Sequence, residues 1–199
     1  MAITNGYCTL AEFKADFYAA TDTTRDAVIE DCIEAASRGI DNFCYRYFYK
    51  LSETASAKYF TASEPCRCHI LDAVSITSIE IDTTGSGTYD VTLSATNDYW
   101  ALGNDDNGTP YTWLEIRPQG GYGFPRFRNG VKATAVWGWA AAPDTIKRAC
   151  LIQSNHLFQL RDAPHGVSVP NEYGQQYVMS ALLPDVKHLL MPYRKGISR

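Results

Sequence analysis

The chain has 199 residues, of which 45% are apolar and 20% charged, and its formal net charge is −4. This composition supports a packed core and excludes disorder throughout, and the mild acidity argues against a strongly basic nucleic-acid clamp. With no apolar run of about 18 to 20 residues and no basic, apolar leader, we expect a soluble protein made in a cytoplasm, its six cysteines free.

Helical spacing of apolar residues marks the first part of the chain. The stretch TLAEFKADFYAA predicts a first helix, with Thr9 as the N-cap and Glu12 as its capping-box partner. A Thr/Asp cluster suited to capping then opens a second, amphipathic helix, predicted over residues 24–48. Its apolar stripe consists of Val28, Ile29, Cys32, Ile33, Ala36, Ile40, Phe43, Cys44 and Tyr47.

From about Ser52 the hydrophobic period changes to two, which is typical of half-buried strands. The stretches SITSIEID, TYDVTLS and YTWLEIRP alternate apolar and polar residues, and turns rich in Gly, Asn and Pro separate them. DYWAL and GVKATAVWGW complete the set. Together they predict a small antiparallel β unit.

The helical period returns after this β unit. Pro143 suits the first turn of a helix because its missing N–H costs nothing there, and Asp144 suits the positive end of the helix dipole. The apolar face that follows is broad, which predicts burial on more than one side. Pro164 and Gly166 are predicted to end this helix.

The last part of the chain combines an irregular stretch, a short helix and a basic tail. Residues 166–181 show no clear period and predict an extended loop. A short helix is predicted to begin near Pro184 and to stop at Pro192. No acidic residue follows Asp185, whereas four basic residues do, so the chain ends with a positive charge.

The string CRCH resembles a metal site more than any other stretch does. On a strand, Cys66 and Cys68 would point to one side and His69 to the other. Zinc sites usually combine two spaced pairs, and no second pair accompanies this one. We therefore expect free thiols here and predict no metal and no cofactor.

Two further stretches, one acidic and one rich in glycine, have simpler explanations than ligand binding. NDDNG lacks the ligand spacing of a calcium loop and predicts a hairpin turn. GGYGFP is followed by Pro125 and an Arg-rich segment, not by a helix N-terminus that could hold phosphate. Arg126 and Arg128 beside Phe124 and Phe127 are candidates for contacts with a partner's carboxylates or with a nucleic-acid backbone.

No catalytic triad is predicted in the returning helix. Ser154 and His156 are two residues apart and so face different directions, while Asp162 and His165 lie at the predicted helix exit. No Gly-x-Ser-x-Gly elbow or His-Glu-x-x-His motif is present. The residues taken singly predict an α+β protein without enzymatic activity.

Taken together, the elements resemble the head–tail connector proteins of tailed phages, also called adaptor or head-completion proteins. The resemblance rests on the order of the elements and on five stretches spread over most of the chain. They are YCTLAEFKADF, AASRGIDNFCYRYF, HILDAVSITSIEID, VKATAVWGWAAAPDTIKRACLIQSNHLFQLRDAPHGV and LLPDVKHLLMPYRK.

The resemblance implies an α+β fold: a small helical bundle with an inserted antiparallel β-domain and an extended C-terminal segment. The bundle would comprise residues 1–51 and 140–199, and the insert residues 52–139. Members form a ring, typically twelve-fold, under the portal of the filled capsid, in the neck of the virion. The ring extends the channel for genomic DNA, which passes without sequence-specific binding, and carries a stopper or tail-completion protein.

The resemblance also implies which residues meet the portal protein, because the C-terminal segment in this family typically reaches towards it. The candidate portal-docking residues, within about 182–199, are Leu189, Leu190, Met191, Tyr193, Arg194, Lys195 and Arg199. The candidate contacts with neighbouring subunits or other partners are Tyr122, Phe124, Arg126, Phe127 and Arg128. An apolar cluster beside basic residues suits an interface, since aromatic residues and Arg dominate binding energies.

Three alternatives stay open from the sequence. A stopper or tail-completion protein would be dominated by a β-barrel, which the long second helix disfavours. A small metal-dependent hydrolase would need Cys66, Cys68 and His69 to converge with a further ligand. A nucleic-acid-binding module would need Arg126, Arg128 and the basic tail on one face.

Overall fold

A computed structural model describes residues 3–17, 23–103, 108–161 and 182–196. Within these ranges the fold is α+β, with helices and an antiparallel sheet, which confirms the predicted fold class. The chain divides into two compact units, here called the helical unit (Met1–Arg46 with Ala142–Arg199) and the sheet unit (Tyr47–Ala141). None of the helices in the described ranges is long and apolar enough to cross a bilayer.

The helical unit is built from two separate parts of the sequence. Its helices are α1 (Leu10–Phe17), α2 (Asp26–Cys44), α3 (Asp144–Leu160) and α4 (Pro184–Leu190), followed by a 3₁₀ turn (Met191–Tyr193). The capping box of α1 is confirmed, because the Thr9 N–H donates to Glu12 Oε2 at 2.7 Å and the Glu12 N–H donates to Thr9 Oγ1 at 3.2 Å.

Both ends of α2 differ from the prediction. The helix stops at Cys44 because Tyr45 takes a left-handed conformation with φ 55°, whereas the sequence pattern predicted four further residues. Phe48, at the end of the predicted helix, instead packs on Trp139 in the sheet unit at 5.1 Å between ring centroids. At the start of the helix, Arg25 occupies the N-cap without a side-chain hydrogen bond, so the predicted Thr/Asp cap is wrong.

Proline marks the starts of α3 and α4 in different ways. Pro143 is the N-cap of α3, one residue before the predicted position in the first turn, and its carbonyl accepts the Ile146 N–H at 2.9 Å. Pro184 is the first residue of α4, as predicted. Pro192 lies inside the 3₁₀ turn, so the chain tightens there after α4 has ended.

In its described residues, the sheet unit has six strands in antiparallel pairs. The order is β1-β6-β2-β5-β4, and β3 pairs with β2 outside this path. The strands are β1 (Ser56–Phe60), β2 (Arg67–Ile81), β3 (Val91–Leu93), β4 (Tyr99–Leu102), β5 (Tyr111–Ile116) and β6 (Val131–Trp137). The long β2 pairs with three strands: its first half pairs with β5, and its second half pairs with β6 and β3.

The core of the sheet unit follows from the alternation of apolar residues along the strands. On β6 every second residue is buried, from Val131 through Ala133 and Ala135 to Trp137. These side chains pack with Ile79, Ile81, Leu114 and other residues of β2 to β5 in one apolar cluster. The alternation predicted these strands, whereas β1 was not predicted.

Candidate partner-binding surfaces

The C-terminal segment folds back onto the helical unit through a row of apolar side chains. Val186 and Leu190 lie on one face of α4, Leu182 lies just before the helix, and all three are buried. The Leu183 N–H donates to the side-chain oxygen of buried Gln153 on α3 at 3.1 Å, which holds the start of α4 in place. Leu190, a predicted portal anchor, is 0% exposed and contributes to the core of its own unit.

Arg194 and Lys195 lie at the carboxyl end of α2. The Lys195 backbone N–H donates to the Cys44 carbonyl at 2.9 Å. The guanidinium of Arg194 lies 5.2 Å from the ring centroid of Phe43 and 5.7 Å from that of Tyr45. The last carbonyls of a helix carry partial negative charge, so a cation at this position stabilises the helix end. The same guanidinium is attracted to the faces of the two aromatic rings.

Three residues at this end of α2 remain available to a partner, and we call them the C-terminal patch: Tyr45, Met191 and Arg194. Tyr45 is 53% exposed and Met191 58%, and Arg194 is exposed as well. Arg194 joins the other two, since it packs on the Tyr45 ring and its N–H donates to the Met191 carbonyl at 3.2 Å. Aromatic residues, Met and Arg are enriched at protein interfaces, so this composition suits docking.

The other predicted docking residues contribute less surface. Leu189, Tyr193 and Lys195 are half-buried, and Arg199 lies outside the described residues. Tyr45 was not among the predicted docking residues, because the sequence pattern placed it in the interior of a longer helix. A tyrosine with positive φ has no sequence signature, since glycine and asparagine usually occupy such positions.

The glycine-rich loop of the sheet unit presents some of its predicted contact residues and buries another. Phe124 belongs to the apolar core, and its N–H donates to the Pro65 carbonyl at 2.7 Å. Tyr122, Arg126, Phe127 and Arg128 are exposed. Phe124 therefore fixes the loop on the sheet unit, and the four exposed side chains form its outer surface.

Asp82, directly after β2, organises the adjoining loop, residues 82–87. Its carboxylate accepts backbone N–H groups from Gly85 and Gly87 at 2.7 Å, from Thr84 at 3.0 Å and from Ser86 at 3.3 Å. Burial alone raises the pKa of the Asp82 carboxyl, but these four donors together outweigh it and hold the pKa below its usual value. The carboxylate is thus engaged in holding the loop.

A cleft of about 380 Å³ adjoins the Asp82 loop. Tyr59 and Tyr89 stack on one wall with ring centroids 5.8 Å apart, and Phe127, Arg128 and Asn129 contribute further lining. The Tyr89 hydroxyl donates to the Asn129 carbonyl at 2.8 Å, which joins the two sides. The cleft was not predicted because Tyr59 belongs to β1, which the sequence pattern had not revealed.

The cysteines of CRCH do not share a side as predicted. Cys66 precedes β2 and is exposed, whereas Cys68 lies on β2 within the apolar core. Burial raises the pKa of the Cys68 thiol to about 12, which disfavours the thiolate that metal binding needs. His69 is exposed and meets the Trp113 ring edge-on at 5.9 Å. Among the described residues, no group of three His, Cys, Asp or Glu side chains could hold a metal ion.

The candidate catalytic residues of α3 have structural surroundings. The buried Ser154 hydroxyl donates to the Cys150 carbonyl one turn earlier at 2.7 Å. His156 is half-buried, and burial lowers the pKa of its imidazole. Asp162 and His165 lie outside the described residues. The described part of α3 thus gives Ser154 a role within the helix rather than as a nucleophile.

Comparison with known proteins identifies the fold. No protein-family model and no curated protein matches the chain. A chain in the neck of an empty GTA particle, computed with C6 symmetry, is similar at TM-score 0.56 and 16% identity, over 98% of this chain and 93% of that one. A chain in the virion of a native gene transfer agent (GTA) particle is similar at TM-score 0.51 and 17% identity, with the same coverage. At this identity, the likeness shows a shared fold across nearly the whole chain.

Proposed function

We propose that this chain is a structural neck protein, a head–tail adaptor in a particle built like a tailed phage. The observation that carries the proposal is the fold shared with a chain from the neck of a GTA particle over 98% of the present chain. The sequence resemblance to head–tail connector proteins leads to the same part of a particle independently. We place the chain in the virion neck, without catalysis and without a cofactor.

The adaptor would form a ring of identical subunits, twelve-fold in our proposal. One similar neck was computed with C6 symmetry, with which a twelve-fold ring is compatible because it contains a six-fold axis. Closing a ring requires heterologous contacts, in which two different surfaces of the subunit meet. We assign Tyr122, Arg126, Phe127 and Arg128 to such contacts, with Phe124 supporting them from the core.

The portal protein would bind the C-terminal segment of the adaptor. The C-terminal patch offers the exposed Met191 and Tyr45 with Arg194 between them, and Leu189, Tyr193 and Lys195 lie in or beside the same turn. Leu190 supports this surface from within the helical unit. Repetition of the contact around a ring makes a modest interface strong, because every subunit adds its own contact.

The ring would also extend the DNA channel and carry the next component, a stopper or tail-completion protein. The formal net charge of −4 suits a conduit, because a lumen without excess cations does not retain phosphates. We propose residues 1–51 and 140–199 as a helical bundle that carries the portal-docking tail, and residues 52–139 as an inserted domain. The compact sheet unit, Tyr47–Ala141, supports such an insert.

Portal binding by point variants tests this proposal. Removing the whole segment would also remove the buried Leu182, Val186 and Leu190, so loss of binding by a truncated chain would be ambiguous. Met191→Glu changes an exposed side chain and places a charge in the proposed interface. We expect an unchanged melting temperature and at least about a tenfold weaker affinity for the purified portal.

The matched control is Leu71→Glu, which places the same charge on β2 of the sheet unit. Leu71 is exposed like Met191 and has a side chain of similar size. We expect this variant to bind the portal as the unchanged chain does. Equal portal affinity for Met191→Glu and the unchanged chain would contradict the assignment of the C-terminal patch.

A further inference from the structure

Two cysteines from distant parts of the sequence meet inside the helical unit. The Sγ atoms of Cys8 and Cys150 lie 3.4 Å apart, although the residues are 142 positions apart in the chain. Cys8 precedes α1 and is 3% exposed, and Cys150 lies on α3 and is 0% exposed. A disulfide bond joins sulfur atoms at about 2.05 Å, so a small movement of the two side chains separates this contact from a covalent bond.

The contact between the two thiols favours loss of the proton from one of the two sulfur atoms. The hydrogen bond that the Cys8 thiol donates lowers the pKa of Cys150, although burial opposes it. The hydroxyl oxygens of Ser37 and Ser154 lie 3.3 and 3.8 Å from the Cys150 sulfur, and each hydroxyl donates its proton to a backbone carbonyl, of Ile33 and of Cys150 respectively. The same thiol contact, together with burial, raises the pKa of Cys8, so the proton stays on that sulfur.

The other cysteines lack such a partner sulfur in the contacts that the structure gives them. Cys44 and Cys68 are buried singly, and burial raises the pKa of each thiol to about 12. Cys32 is half-buried with its pKa raised by burial, and Cys66 is exposed. Among the six cysteines, only Cys8 and Cys150 have their sulfur atoms in close contact.

We propose that Cys8 and Cys150 are a disulfide site that is reduced during synthesis and oxidised in an oxidising environment. The change of environment rests on the proposed function, since a neck protein leaves the reducing cytoplasm with the released particle. The chemistry of the pair does not depend on that function. The disulfide would join the N-terminal part of the helical unit to the part that follows the sheet unit.

Hydrogen peroxide is a sufficient oxidant for this step. Because both sulfur atoms are buried, peroxide reaches them when the segment before α1 opens transiently. The Cys150 thiolate then attacks one peroxide oxygen, a sulfur–oxygen bond forms, the oxygen–oxygen bond breaks, and the departing hydroxide takes a proton to become water. The Cys8 thiol then loses its proton and attacks the Cys150 sulfur, which expels the second hydroxide. In sum, two thiols lose two electrons and two protons, and one peroxide becomes two waters.

The bond would stabilise the helical unit, because this unit is built from two separate parts of the sequence. At present only non-covalent contacts hold the segment before α1: the Tyr7 N–H donates to Ser37 Oγ at 3.1 Å, and Arg38 donates to the Asn5 carbonyl at 2.9 Å. A covalent bond that closes a loop of this length restricts the unfolded chain strongly, which favours the folded state. It would stabilise the unit after the particle has left the cell.

Peptide mapping of the oxidised full-length chain tests the proposal. The reduced protein is treated with hydrogen peroxide, blocked with a thiol reagent and digested without reductant. We expect a linked peptide pair that contains Cys8 and Cys150, with the loss of two hydrogens, and a melting temperature higher by about 5 to 15 °C. Dithiothreitol should reverse both changes.

Two variants serve as controls. Cys8→Ser should lose the linked pair and the gain in melting temperature, whereas Cys66→Ser, at the exposed cysteine, should retain both. The proposal is overturned if the unchanged chain gives no Cys8–Cys150 peptide under conditions that fully oxidise Cys66, or if the linked chain melts no higher than the reduced one. These measurements use the isolated chain, so their failure is distinguishable from a failure of the neck assignment.

Discussion

At the scale of single residues, the burial of His156 predicts how stability depends on pH. Its Nε2 atom is buried without a hydrogen-bond partner among the described residues, and burial lowers the pKa of the imidazole below its ordinary value of 6.5. As the pH falls through 6.5, the unfolded chain takes up a proton before the folded chain does. Protonation therefore lowers the free energy of the unfolded state more than that of the folded state, and the free energy of unfolding decreases on acidification.

The variant His156→Gln isolates this effect. We expect the free energy of unfolding of the unchanged chain to fall relative to that of the variant as the pH is lowered from about 7.5 to about 5.5. Urea unfolding at several pH values measures the difference, with His188→Gln on the exposed side of α4 as the control for losing a histidine. A difference that stays constant with pH would show that burial of His156 does not shift its titration.

Single residues also show where sequence patterns succeed and where they stop. Thr9 and Glu12 were predicted because a capping box depends only on four neighbouring residues. Phe124 and Leu190 were predicted as surface contacts, yet both are buried. Phe124 lies in a loop without a hydrophobic period, and the short α4 contains apolar residues on two faces, so the pattern does not reveal the side that is covered.

At the scale of elements, Gly138 fixes the return of the chain after β6. It has φ 110°, forms an isolated bridge with Lys50, and donates its N–H to the Asp72 carbonyl at 2.7 Å. A Cβ atom at this position would lie 2.0 Å from the Tyr49 carbonyl oxygen. The structure therefore requires glycine here for both conformation and space.

The substitution Gly138→Ala should destabilise the sheet unit by about 3 kcal/mol or more, because the backbone of Tyr49 must move. Gly121→Ala is the matched control, since Gly121 also has positive φ but open space around its Cβ position. We expect the control to cost only about 1 to 2 kcal/mol. Equal losses in urea unfolding would contradict the close approach at Gly138.

The elements that the sequence predicted are those whose period is long or regular. The alternation on β6 and the stripe on α2 each extend over several turns or pairs, so they were found. β1 is a five-residue edge strand with mostly exposed residues, and its pairing with β6 depends on residues far along the chain. The C-terminal end of α2 was missed because the apolar spacing continues past Cys44 even though the helix does not.

At the scale of the whole molecule, the proposed function follows from the sequence only through the order of the elements. No motif in the chain carries recognisable chemistry, and the surfaces proposed to bind other proteins have no fixed residue pattern. The C-terminal patch is an example, because Tyr45 and Met191 lie far apart in sequence and are brought together by the return of α4 and the 3₁₀ turn to the end of α2. The cleft beside Asp82 arises in the same way from three separate stretches.

Cryo-microscopy of the particle neck, or of the purified portal bound to this chain, tests the central claim most directly. We expect a ring of twelve copies directly below the portal, with residues 182–196 of every copy against it and the DNA path through the centre. A reconstruction in which the chain is missing from the neck, or in which the portal contacts none of these residues, would contradict it.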